Sequence, residues 1–281
     1  MSKKITLIFC LLLPGFTANV LQATTLPLPK VISTNVCADE LLLDLADPQQ
    51  ILAVTHYAKP RYQNILTSHV IRTYRGQTEE VLSLHPDLVL TGAFDAPLTS
   101  DLFKQFQIKT LALELPKNFR DINNQIALVG KALHQEEKAQ RIILQIQENL
   151  KSLNLKSNAN QRAVFWGYEG HVPGKGTYEN AMLEELGLVN IADDFGLQGH
   201  GWISIEKMIQ AKPDILILEK NSASKNSVGE ALIKHAAIKA ALPNLKVITL
   251  EQNSLRCGGV HLIEVLKTLQ LALENFNEKK S

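Results

Sequence analysis

One short pattern occurs twice in this chain, and the duplication constrains the fold more than any other feature. Residues 79–90 read EEVLSLHPDLVL and residues 206–218 read EKMIQAKPDILIL. In each copy a Glu (Glu79, Glu206) stands seven residues before a Pro-Asp (Pro86-Asp87, Pro213-Asp214), and an apolar run follows. Val81, Leu82 and Leu84 fit one helical face, as do Met208 and Ile209. Proline ends such a helix, and Leu88–Leu90 or Ile215–Leu218 then reads as a buried strand. Each copy is therefore helix, turn and central strand. Two copies 127 residues apart predict two similar α/β lobes, with a cleft between them as the default place for a ligand.

A length of 281 residues accommodates two ordinary domains. Hydrophobic content of 45% against 20% charged is enough apolar material for real cores. A net charge of +1 gives no reason to propose nucleic acid. Residues 1–23 read as a cleaved signal peptide: Lys3-Lys4 form the basic region, Ile5 to Leu13 the apolar region, and Leu21-Gln22-Ala23 a cleavage site. The apolar run is too short to span a membrane. Cys10 lies inside it rather than at the cut, which argues against a lipoprotein. Cleavage removes two lysines and no acid, leaving 27 basic and 28 acidic residues, a charge of −1. A periplasmic location follows. It permits a disulfide between the remaining Cys37 and Cys257 without requiring one.

Val31–Ser33, Ile51–Val54 and Ile108–Leu115 read as strands, with helices at Asn35–Leu45 and Leu98–Phe106. The alternation predicts parallel sheets, so the fold class is α/β, two Rossmann-like lobes. The acids Asp39 and Glu40 read as first-turn residues that suit the helix dipole. The rhythm breaks at 119–153, where Phe119–Leu133 and Gln135–Leu153 are consecutive helical stretches with no strand between them. The second, with Ile142, Ile143, Ile146, Leu150 and Leu153 in helical period, would be roughly 30 Å long and form a stiff connector. The expected boundaries are an N-terminal lobe at 24–134, the connector at 135–156 and a C-terminal lobe at 157–281. A strand at Ala163–Trp166 opens the second lobe, and a helix at Leu262–Phe276 closes it.

No Gly-x-Ser-x-Gly elbow, His-Glu-x-x-His helix or phosphate loop is present, so no catalytic residue is assigned. Gly174-Lys175-Gly176-Thr177 lacks the leading glycine of a phosphate loop and reads as a turn into a helix. Polar and aromatic residues gather instead in segments that follow strands: His56, Tyr57, Tyr74, Arg75, Phe94, Trp166, Tyr168, His171, His200, Trp202 and Arg256. Ligands of open parallel sheets sit beyond the carboxyl ends of the strands. Aromatics there suit a large flat ligand, and His or Arg can hold its polar rim. His56, His171, His200, Cys37 and Cys257 match no compact zinc spacing, so no metal site is assigned. Cys37 and Cys257 should both lie on the cleft side of their sheets. Three readings stand open for them: a bridge between the lobes, thiolates for a soft metal, or small packed residues.

The two Glu…Pro-Asp copies and the segment GKGTYENAMLEELGLVNI (174–191) resemble the periplasmic substrate-binding proteins of ATP-driven importers for cobalamin and iron-siderophores. The resemblance spans about Val31 to Asn275. It implies lobes joined by one rigid helix, a bulky chelate as ligand, no resident cofactor, no catalysis and a monomer. It also implies that Glu79 and Glu206 engage arginines of an inner-membrane ABC permease dimer. Cleft aromatics of the cobalamin protein map onto Tyr57, Tyr74 and the 166–171 segment, whereas His200 stands where that protein has a tryptophan. Cys37 and the Cys-Gly-Gly at 257–259 lie outside the cobalamin pattern. A periplasmic metal-dependent hydrolase, a haem or bare-metal binder, and an interaction protein without a small ligand are the alternatives.

Overall fold

The computed structural model describes residues 27–278 apart from 94, 96, 154–159 and 221–235. The expected signal peptide and Phe94 thus lie outside the described residues. In the first half the elements are β1 (Val31–Ser33), α1 (Val36–Leu45), β2 (Ile51–Thr55), α2 (Lys59–Ser68), β3 (Arg72–Tyr74), α3 (Thr78–Ser83), β4 (Leu88–Gly92), α4 (Pro97–Gln105), β5 (Thr110–Leu113) and α5 (Phe119–Ala132). Then come α6 (Glu136–Ser152), β6 (Arg162–Phe165), β7 (His171–Pro173), α7 (Tyr178–Glu185), β8 (Val189–Asn190), β9 (His200–Trp202), α8 (Ile205–Ala211), β10 (Ile215–Glu219), α9 (Ala236–Ala241), β11 (Lys246–Leu250) and α10 (Leu262–Glu278). The fold is α/β with two parallel sheets. One is five-stranded in the order β3-β2-β1-β4-β5, the other four-stranded in the order β11-β10-β6-β8.

The orders are related. Matching β6 with β1, β10 with β4, β11 with β5 and β8 with β2 reproduces one sheet from the other. The exceptions are β3, which has no partner in the second sheet, and the antiparallel pair β7-β9, which has none in the first. The sequence reading had His200 and Trp202 in a strand-following loop. They are the ends of β9, with Trp202 opposite His171.

The repeated Pro-Asp has a structural cause. Asp87 Oδ2 accepts from the Lys30 N–H at 2.8 Å, and the Asp87 N–H donates to the Lys30 carbonyl at 2.8 Å. Asp214 treats Arg162 the same way, at 2.8 and 2.8 Å. Each aspartate latches the start of a central strand to the residue at the entrance of its neighbour, which fixes the register of the pair. The residue before each proline, His85 or Lys212, takes a left-handed conformation (φ 47° and 49°). That turn, rather than the proline ring alone, stops the preceding helix.

One apolar cluster runs through the whole molecule. It joins Val31, Leu42 and Leu90 of the first half to Phe165, Met182, Ile217 and Leu269 of the second, with Ile126 of α5 and Ile143 and Ile146 of α6 between them. Burial of each such side chain contributes about 1.5–3 kcal/mol. Helices α5 and α6 approach closely at Gly130, where a Cβ would lie 2.4 Å from the Ala139 Cβ. Separate clusters cover the outer face of each sheet. Helix α6 carries no Gly or Pro, so it has no built-in kink point.

Candidate functional site

The carboxyl ends of both sheets open onto a common groove. On the second-half side, β6 runs into Trp166 and β10 ends at Glu219. Between them lies a recess of about 340 Å³ bordered by Trp166, Tyr168, His171, Glu179, Glu219 and Asn253. A groove of about 470 Å³ adjoins it through the shared residues Gln252 and Asn253, and brings Arg61 of α2 opposite Arg256 and His261. A third space of about 270 Å³, mostly apolar, lies between Val36, Leu115, Tyr178 and Cys257.

The structure brings five of the sequence-selected residues together. Trp166, Tyr168 and His171 line the recess, Trp166 as a core residue, 5% exposed, that packs with Val172 and Ile203. His200 stacks on His171 with ring centroids 5.0 Å apart, and Trp202 meets His171 edge-on at 5.3 Å. Tyr168 and Trp202 are 69% and 67% exposed, so two large apolar faces stand open at the rim. Burial lowers the pKa of His171, and burial followed by the neighbouring His171 lowers that of His200. Among the described residues, no group of three or more His, Cys, Asp or Glu is placed to hold a metal ion.

The first-half residues are distributed differently. His56 and Tyr57 follow β2 and contact each other at 4.0 Å, with Tyr57 open to solvent. Arg75 is exposed after β3. Tyr74, expected among the cleft aromatics, is instead a core residue. It is 4% exposed, and its hydroxyl donates to the Ser33 carbonyl at 2.7 Å. As the last residue of β3 it points into the outer cluster with Val81 and Phe103. Glu79 and Glu206 are exposed in the first turns of α3 and α8. Hydrogen bonding from Ser204 holds the Glu206 carboxyl below the usual range.

Between the halves lies a seam. Cys37, at the start of α1, is bonded to Cys257, with a Cα–Cα distance of 5.4 Å. Beside it Glu40 Oε2 stands 3.2 Å from His261 Nδ1, and Glu40 Oε1 lies 3.6 Å from Arg61 Nε. Arg61 also donates to the Asn253 carbonyl at 3.3 Å, and the Tyr178 hydroxyl donates to the Leu255 carbonyl. Gly258 sits where a Cβ would lie 2.4 Å from Pro116 Cγ, so the chains touch there. Asp39 and Glu40, read as dipole-matching acids, are both buried. Asp39 accepts hydrogen bonds from the Ser33 and Thr55 hydroxyls and from the Thr55 N–H at 2.9 Å. Burial pushes its carboxyl up to about 7, although those bonds oppose the rise.

Sequence reasoning missed Glu179, Glu219 and Arg61. Glu179 follows the N-cap Thr177 on α7, a position where an acid always looks dipole-friendly. The available signal was its neighbours: the apolar run Ala181, Met182 and Leu183 follows it, and all three are buried with it.

The sequence pattern described as "Periplasmic binding protein" matches residues 31–253, well over half of the chain. The chain belongs to this family. Its members are extracytoplasmic binding proteins. An uncharacterised ABC transporter substrate-binding lipoprotein of Bacillus subtilis, YvrC, is 27% identical over 152 residues, 50% of this chain and 47% of YvrC. The aligned part thus spans about half the length of that relative. Among solved structures, the periplasmic heme-binding protein RhuT from Roseiflexus superposes with a TM-score of 0.73 at 19% identity, covering 89% of this chain and 100% of RhuT. The vitamin B12-binding protein BtuF of Vibrio cholerae gives 0.68 at 17% identity, covering 89% and 98%. At these identities the two structures establish the fold.

Proposed function

We propose that this chain captures a bulky metal-containing ligand, a corrinoid or a ferric siderophore, in the periplasm and delivers it to an inner-membrane ABC importer. In this reading residues 1–23 are removed on export, and lobes 24–134 and 157–281 flank the connector 135–156. The observation that carries it is the aromatic wall of Trp166, Tyr168, His171, His200 and Trp202 beside a groove that opens between two parallel sheets. A wall of this kind suits a wide ligand with a flat face. RhuT is described as binding haem and BtuF as binding vitamin B12, both metal macrocycles, which supports the ligand class. The arginines of the adjoining groove are Arg61 and Arg256, and Arg61 faces Glu40, so a highly charged ferric catecholate is less well matched than a corrinoid. Glu79 and Glu206 would dock the permease. Both are exposed in the first turn of a helix that leads into a central strand, α3 before β4 and α8 before β10.

The test is purification of the protein from its native host, followed by mass spectrometry and an absorbance spectrum. A co-purified corrinoid or ferric chelate is expected. Protein that emerges with neither, and acquires neither when both are supplied, contradicts the reading.

A further inference from the structure

The 340 Å³ recess has an electrostatic character that its aromatic rim conceals. Glu179 borders it, is 6% exposed, and has an Oε2 with no hydrogen-bond partner. Glu219 borders it too, with Oε1 accepting from the Leu255 N–H at 2.6 Å. The cation on the same wall, Lys220, is paired outward with Glu251 at 2.5 Å. Burial lowers the pKa of His171. A buried carboxyl oxygen without a donor costs about 1–3 kcal/mol, so such an atom marks a place where a partner is missing.

We infer that the recess is the subsite for an arm of the ligand that donates hydrogen bonds, a carboxamide, hydroxyl or amine, received by the Glu179 carboxyl with Glu219 beside it. This rests on the capture function proposed above and narrows its ligand class. A carboxylate or phosphate arm would meet two carboxyl groups with no free cation among the lining residues. It would be directed instead to the adjoining groove, where Arg61, Arg256 and His261 lie. A corrinoid, whose rim carries carboxamides, satisfies the recess. Haem, whose rim carries two carboxylates, does not.

The experiment measures dissociation constants of the mature protein for cyanocobalamin, haemin and a ferric siderophore, with wild type, Glu179→Met and Glu179→Gln. Met keeps the volume and removes both oxygens. Gln keeps an acceptor. Wild type should bind cyanocobalamin. Glu179→Met should weaken that binding about tenfold or more, as loss of a buried hydrogen bond does. Glu179→Gln should stay within about threefold of wild type, since an acceptor remains. Any haemin affinity should not fall in Glu179→Met. The melting temperature of Glu179→Met should equal or exceed that of wild type, because an unpaired buried carboxyl has been removed. Should Glu179→Met misfold, Glu179→Gln decides: cyanocobalamin affinity within about threefold of wild type is expected, and a larger loss overturns the inference. The inference is overturned if Glu179→Met leaves cyanocobalamin affinity unchanged, or if wild type binds haemin or the siderophore but not cyanocobalamin. Both of those outcomes leave the capture function standing. Failure of wild type to bind any of the three overturns both.

Discussion

The two sheets carry matching helices after their first strands, α1 and α7, and both bury carboxyl groups: Asp39 and Glu40 on α1, where Glu40 faces Arg61 and His261, and Glu179 on α7. In the first, Asp39 is met by Ser33, by Thr55 and by the Thr55 N–H, so both its oxygens are used. In the second, Glu179 has an oxygen with no partner beside an open recess. The surroundings differ in the same direction. Asp39 is tied to the ends of β1 and β2 through Ser33 and Thr55, whereas Glu179 lines a recess with His171 and Pro173 of the inserted β7-β9 pair. The parts present in both halves, above all the Asp87 and Asp214 latches, hold strands in register. The parts present in only one half build the site. Duplication supplies the frame, and departures from it supply the ligand chemistry.

The comparison can be broken or sharpened in four ways. The largest effect is expected where the halves should act together. Charge reversal at both Glu79 and Glu206 should bring uptake to background in a transport assay with the dissociation constant unchanged. Loss of uptake from one reversal alone, with none from the other, would make docking a one-lobe property. Next, replacing Cys37 and Cys257 by Ser should lower the unfolding free energy by about 2–5 kcal/mol, measured by denaturant titration, because the bridge closes a separation of 220 residues. An unchanged midpoint would mean that the apolar cluster alone fixes the halves.

The third effect concerns pH. Folding raises Asp39 from 3.8 and Glu179 from 4.5, each to about 7, and burial is the largest cause in both. Both bind protons more tightly when folded, so their stabilisation is complete below the unfolded values and is lost as pH rises through about 7. Unfolding free energy should therefore decline between about pH 4 and 7 by a few kcal/mol, at up to about 1.4 kcal/mol per pKa unit per group. Glu179→Gln should remove the share of the second half and leave that of Asp39. A curve that rises over this interval would contradict the burial argument. The smallest effect tests the symmetry itself. Asp87→Ala and Asp214→Ala should each cost about 1–2 kcal/mol in the same denaturant titration, the usual range for a hydrogen-bonded carboxylate. Unequal losses would mean that one latch is incidental.

Much of the frame is legible in the sequence because it rests on local patterns. The Pro-Asp copies announce two central strands, and the helical period of Ile142, Ile143, Ile146 and Leu150 announces α6. Strand β5 is shorter than the apolar run at 108–115 because Lys109 and Glu114 flank its paired residues. The site is less legible, because it depends on which residues a tertiary insertion brings together. His171 and His200 are 29 positions apart, and only the β7-β9 pairing stacks them. Tyr74 followed the rule that aromatics after strands face the ligand, yet it is itself the last residue of β3 and its ring faces the core. Glu179 and Glu40 were hidden by the same ambiguity. At a helix start an acid suits the dipole whether it is solvated or buried, and only packing distinguishes the two.

Both tryptophans of the chain, Trp166 and Trp202, stand at the proposed site, so their fluorescence reads it without any label. Titration of the mature protein with cyanocobalamin, haemin and a ferric siderophore, corrected for absorption by each ligand, is the most direct test of the account. Saturable quenching with one-to-one stoichiometry by at least one metal chelate, cyanocobalamin foremost, is the predicted result. Emission that stays unchanged, or falls without saturation, for all three ligands would contradict the claim that this aromatic wall is where the protein holds its cargo.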